Sequence, residues 1–282
     1  MKVTIHVLSP LAHGEFGANT GNIVGFRRET VRTADGIVQI PAISGNALRG
    51  RMRREIMREM LDACDISRET IPERSWDRLY GALCNGGTLD GAGEPRVSPS
   101  ELRALRLAIP PLSVFGAALY SRMLSGRCQV GWARLDCVEL GTGAELARDL
   151  VAEIGTVRHV DGEVYAVAAA GMSPMPVQTE TVIAGATMTS RITVRGTELE
   201  ASVIAHALDL VSTLGGKAGA GLGQVRIEHD GDGSSWVTHL TEHRDGIGAA
   251  LRELAASLGG PVKQAKGKKP AVAAEPQADG IL

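Results

Sequence analysis

The stretch "QIPAISGNALRGRMRREIMREML", Gln39 to Leu61, decides the fold. A short extended run, Ile37 to Pro41, leads to the polar triplet Ser44-Gly45-Asn46, and a helical pattern begins there. At about 100° per residue, Leu48, Met52, Ile56 and Met60 share one face. Arg51, Arg54 and Arg58 fall on the opposite face, where solvent would hold them. Arg49 and Arg53 project instead among the apolar residues, near Ile56 and Met60. An unpartnered buried guanidinium costs on the order of several kcal/mol, so these two require an anion. Two sources fit the stretch: a phosphate drawn to the helix N-terminus that Ser44 or Asn46 caps, or carboxylates at a domain seam.

Working outward, Lys2 to Leu8 alternates as a strand, and Pro10 to Asp35, with "HGEFGANTGN", reads as a long exposed loop of the kind that carries function. After the helix, "ERSWDRLYGALC" (Glu73 to Cys84) reads as a second helix and "IPPLSVFGAALYSRMLSG" as a short helix bounded by prolines. "RCQVGWARLDCVEL" alternates as a strand, and Gly143 to Ile154 reads as helical. Val157 to Glu180 reads as two extended arms, bent where Gly and Pro cluster in "AAAGMSPMP". Its methionines, Met172 and Met175, sit near the tip, placed to pack on a neighbouring subunit, beside a base, or within their own domain. "TVIAGATMTSRITV" is β-rich, Glu198 to Leu214 is an amphipathic helix, and "GGKAGAGLG" leads into the strand "QVRIEH". Beyond Pro261 the four lysines show no periodicity, so residues 261–282 read as a disordered tail. Without insertions the order is strand, helix, strand, strand, helix, strand, the ferredoxin-like plan. The fold class is therefore α+β, with one domain over residues 1–260, an insertion at about 63–126 and the hairpin at about 157–180.

Composition narrows the function. With 282 residues, 44% hydrophobic and net charge −2, the chain does not coat nucleic acid by bulk charge. Its basic residues are mostly Arg, which suits bidentate phosphate contacts. Between Arg27 and Arg58, eight Arg outweigh Glu29, Asp35 and Glu55, a local +5. Such a patch binds phosphate even on a slightly acidic chain. The four cysteines lie apart, with no zinc-ligand spacing. No apolar run is long enough for a membrane helix, and the strand-like N-terminus is no signal peptide, so a cytoplasmic location is expected.

No motif demands catalysis. "LGGKAGAGLGQV" (Leu214 to Val225) runs helix, loop, strand, the reverse of a dinucleotide fingerprint, and no P-loop is present. Its glycines bare main-chain N–H groups beside Lys217, either for an anion or simply for a flexible turn. Tight binding of ATP or NAD would instead mark it as a nucleotide site. Among seven histidines, His13 in the early glycine-rich stretch is the best candidate base. No nucleophile elbow, HExxH or carboxylate pair appears. No cofactor and no metal are expected.

Together these segments resemble one family. "IPAISGNALRGRMRR" resembles the glycine-serine-leucine-lysine-glycine signature of the RAMP proteins of CRISPR systems. "PLSVFGAALYSRMLSGRCQVGWA", "QTETVIAGATMTSRITV" and "LGGKAGAGLGQVRI" are similar to its central, post-thumb and late-glycine segments, in order over Val3 to Ile227. The order looks like the Cas-seven-like backbone subunit of a class 1 effector complex. Asn46, where many relatives have Ser, looks like the type IV branch. The resemblance implies an RRM-like palm with helical insertions, a protruding thumb hairpin, and a helical row of copies along a guide RNA (crRNA). The thumbs would kink the guide and leave bases free to pair with target DNA or RNA. Other CRISPR effector subunits would be partners, and a membrane would not. It implies guide contacts at Ser44, Asn46, Arg49, Arg53, Gly215, Gly216 and Lys217. Arg27 and Arg28 would reach guide or target, and Met172 and Met175 would mark the thumb tip. "TGNIVGFRRETV" lacks the Asp that RNA-cleaving type III relatives carry, so a non-catalytic subunit is expected. The alternative is a metal-independent crRNA-processing endoribonuclease using His13.

Overall fold

The computed structural model describes residues 1–20, 23–89, 98–119, 122–156 and 177–259. The thumb-tip methionines, most of the expected hairpin and the tail lie outside them.

The chain is α+β. Its main sheet runs β14 (Val225–His229), β1 (Lys2–Val7), β13 (Thr187–Val194), β10 (Ala133–Leu135), β5 (Gly36–Ile43) and β4 (Arg28–Thr33), with β9 (Cys128–Val130) also on β13. Every pairing in it is antiparallel. A second sheet holds β11 (Val151–Thr156), β12 (Val177–Val182), β3 (Ile23–Phe26) and β2 (Gly14–Thr20). The antiparallel pair β11–β12, with Thr156 opposite Val177, flanks the segment expected as a thumb. A small third sheet joins β6 (Gly87–Thr88), β7 (Ala117–Leu119) and β8 (Arg122–Leu124).

The stretch from Gln39 to Leu61 supplies most of helix α1 (Gly45–Ala63). Leu48, Met52, Ile56 and Met60 are buried as their spacing requires, joined by Met57 and Leu61. Helix α5 (Glu198–Asp209) packs beside α1 and starts with a capping box, in which Thr197 and Glu200 satisfy each other's main-chain N–H groups. Val3, Ile5, Met188, Val203, Ile204 and Leu208 share one core cluster with the α1 residues. Between α1 and β9 lie α2 (Glu73–Tyr80), a π-turn (Gly81–Asn85), α3 (Pro99–Ala108) and α4 (Pro110–Phe115). The chain ends its described part in α6 (Ser234–Glu242) and α7 (Arg244–Gly259), two helices not among the elements read from the sequence.

Three expectations need correction. Pro10 to Asp35 is not one loop, because it supplies β2, β3 and β4. Hairpin β4–β5 turns at "TADG", where Gly36 takes φ +135°, and polar alternation on an edge strand hides such an element. Gly143 to Ile154 holds only a short 3₁₀ turn, Ala147–Leu150, before β11 takes over. The proline-bounded segment carries β7 and β8 after its short helix, with Gly116 (φ +67°) at the break.

Candidate nucleic-acid interface

Three segments far apart in sequence meet at the start of α1. The Ala12 carbonyl accepts the Gly216 N–H at 2.8 Å. At Gly215, φ is +77° and a Cβ would fall 2.1 Å from the Ala12 oxygen, so only glycine allows this approach. The next residue along from Ala12, His13, accepts the Arg27 N–H on its carbonyl at 2.7 Å. Its ring Nε2 accepts the Ser44 N–H over a long 3.4 Å. Ser44 caps α1, its Oγ accepting the Ala47 N–H at 3.3 Å. Gly45 lets the helix start press on the β9–β10 turn, since a Cβ there would lie 2.0 Å from the Val130 oxygen. That turn carries Trp132, and the Arg27 guanidinium sits 5.1 Å from its ring centroid.

The late glycine loop completes the surface. Residues 215–220 are exposed, as is Asn46. Lys217 holds φ +59°, a region uncommon for a residue with a side chain, and donates from Nζ to the buried Thr179 Oγ1 at 2.6 Å. Arg51, expected in solvent, ties α1 to this loop by donating to Thr213 Oγ1 at 2.6 Å, and also pairs with Glu55 at 3.0 Å. The result is a helix N-terminus, an exposed glycine loop, two cations and one aromatic ring on adjoining segments. This arrangement attracts a polyanion and offers a base a stacking face. Burial first, and then the Arg27 charge, hold the His13 imidazole below its ordinary pKa, so it is neutral at neutral pH. Because Nε2 accepts a main-chain N–H, the ring proton is assigned to Nδ1.

Arg49 and Arg53, the two inward-facing arginines of α1, do not line this surface. Arg53 is 8% exposed. It donates to the carbonyls of Ala82 (3.0 Å), Leu83 and Gly116. Burial, and next the Arg49 charge, lower its pKa to about 10, still protonated at neutral pH. Arg49 donates to the Phe115 carbonyl. The partner the structure gives these guanidinium groups is not a carboxylate. It is a set of carbonyl oxygens bared where the π-turn and α4 end. The sequence does not show this, because a free carbonyl depends on how a helix terminates. Arg28 is also committed, paired through both guanidinium nitrogens with Glu180, which in addition accepts the Phe26 N–H at 2.6 Å. In this structure Arg49, Arg53 and Arg28 act as clasps within the chain and do not join the surface around Ser44 and Lys217. Ser44, Asn46, Arg27, Gly215, Gly216 and Lys217 do come together. Trp132 joins them without having been expected from the sequence. Its signal was a bulky ring between Gly131 and Ala133 in a chain only 3% aromatic.

No family model matches the chain, and no curated protein matches it. Solved structures do. A chain of a "Type IV-B CRISPR Complex" superposes with a TM-score of 0.56 at 20% identity, over 85% of this chain and 97% of that one. This chain has the fold of a type IV-B CRISPR complex chain. The crystal structure of Thermofilum pendens Csc2 superposes more loosely, with a TM-score of 0.43 at 16% identity over 91% of this chain and 80% of that one. At 20% identity the first of these likenesses is one of fold, and it agrees with the resemblance carried by the sequence motifs. Among the described residues, no helix is long and apolar enough to cross a membrane, and no group of three or more His, Cys, Asp or Glu is placed to hold a metal ion.

Proposed function

We propose that the chain is a non-catalytic, guide-RNA-binding backbone subunit of a class 1, type IV-like CRISPR effector complex. In this reading copies of it line up in a helical row along the crRNA and present it for pairing with target DNA or RNA. The observation that carries the proposal is the shared fold, which spans nearly the whole of the solved complex chain. The strand order β14–β1–β13–β10, with α1 and α5 as its two helices, supports a ferredoxin-like palm.

The guide contacts move away from Arg49 and Arg53. Phosphates would lie across the α1 N-terminus at Ser44 and Asn46 and along Gly215, Gly216 and Lys217, and Arg27 and Trp132 would flank a base. The outward side chains of β1 and β13 include Thr4, His6, Thr189 and Arg191 and no Phe, Tyr or Trp, so an RRM-style reading of bases across that sheet is not expected. The alternative, a processing nuclease with His13 as its base, would require the ring to release the long 3.4 Å contact that Nε2 accepts from the Ser44 N–H.

The test is RNA affinity against salt for Arg27→Ala with Lys217→Ala. The log–log salt slope should fall by about 0.7 for each phosphate of a single strand that the variant no longer neutralises, whatever the RNA sequence. An unchanged slope would remove these residues from the interface.

A further inference from the structure

Aromatic side chains are only 3% of this chain, and Phe26, Phe115 and Trp236 are buried in the core. Among the described residues, the Trp and Tyr rings that reach the surface lie in two places, each beside arginine. One is Trp132 under Arg27. The other is on α2, where Trp76 and Tyr80 stand one turn apart with ring centroids 5.5 Å apart and planes tilted by 39°.

Helix α1 runs alongside this second pair. Arg58 donates from Nε to the Tyr80 hydroxyl at 3.4 Å. Arg54 stands one turn before Arg58 on the same face of α1, its guanidinium reaching back toward Gly50. Glu55 is 3.8 Å from Arg58 but is already paired with Arg51 at 3.0 Å. Arg54 has no hydrogen-bond or ion-pair partner among the described residues. Core packing accounts for the inner edges of Trp76 and Tyr80. It does not account for Arg58 at the Tyr80 hydroxyl or for Arg54 one turn away on α1.

We propose that this α1–α2 face is a second nucleic-acid surface, specific for single strands. Bases stack on Trp76 and Tyr80 while Arg54 and Arg58 take the phosphates. It lies apart from the first interface, since Arg58 follows Ser44 by fourteen residues of helix, about 21 Å at 1.5 Å per residue. A short strand therefore occupies it without displacing one at the α1 N-terminus.

The test uses the full chain and a fluorescent twelve-nucleotide oligo-dT, read by anisotropy against salt and by ultraviolet cross-linking with peptide mapping. Arg54→Gln with Arg58→Gln removes surface charge without emptying the core. It should weaken binding about tenfold and lower the salt slope by about 1.4. Trp76→Leu should weaken binding with little change in slope. In the Arg27→Ala, Lys217→Ala background, cross-links should persist at the peptide holding Trp76, which separates this surface from the proposed guide site. Cross-links confined to the Trp132 segment, or full affinity and slope in the Arg54/Arg58 variant, would overturn the proposal.

Discussion

At the scale of single residues, the question is where buried charge finds its partner. Arg53→Ala would strand three main-chain carbonyls, and unsatisfied buried acceptors cost about 1–3 kcal/mol each. We expect a destabilisation of about 3 kcal/mol in chemical denaturation with no added change in the salt slope for RNA. Arg53→Lys should rescue little, because one ammonium cannot span three acceptors. Glu200 is the complementary case. Burial alone would raise its pKa. The Ser113 hydroxyl at 2.6 Å, the Thr197 N–H at 2.8 Å and Arg127 at 2.9 Å outweigh that and hold it below the ordinary value. A depressed carboxylate stabilises the fold fully above the unfolded pKa of about 4.3, and the gain is lost as pH falls through the lower folded value. Glu200→Gln should therefore cost about 2 kcal/mol at pH 7 and flatten the acid limb of stability. Acid limbs that stay parallel in the two proteins would contradict this. The helical spacing shows that Arg49 and Arg53 are inward, but their partners are main-chain atoms some thirty to sixty-six residues away, and no side-chain pattern encodes those.

At the scale of elements, α1 contains two glycines with opposite roles. Gly45 is where the helix start meets the β9–β10 turn, and a Cβ would fall 2.0 Å from the Val130 oxygen. Gly50 would find only the flexible end of Arg54, at 3.9 Å. Thermal or urea unfolding should show Gly45→Ala destabilised by about 2 kcal/mol and Gly50→Ala stabilised by about 0.5–1 kcal/mol. Equal effects would mean that α1 does not dock by its first turn. Helices α1, α2 and α5 and strands β1, β5, β13 and β14 were legible because each has a clear apolar period or cap. Strands β2, β3 and β4 were not. Each borders a sheet edge or a small second sheet, so burial imposes little alternation on them, and glycine and polar residues gave the look of a loop. The 3₁₀ turn before β11 escaped for a related reason, being too short to show a period.

At the scale of the whole molecule, polar clasps join separate segments: Arg53 and Arg49 tie α1 to the π-turn and the end of α4, and Arg28 with Glu180 and Lys217 with Thr179 reach the second sheet. These clasps hold the early segment, the α1 start and the late glycine loop on one surface, and a guide strand would run there. The convergence of Ser44, Asn46, Arg27 and Lys217 was legible in the sequence only through the order of weak motifs, because each motif alone has an ordinary turn or cap reading. The most direct measurement of the central claim is the mass and absorbance ratio of the chain purified after co-expression with a CRISPR array. The account predicts ribonucleoprotein particles many times the 29.6 kDa monomer, rich in absorbance at 260 nm and holding RNA of a few defined lengths. A nucleic-acid-free monomer under the same conditions would contradict it.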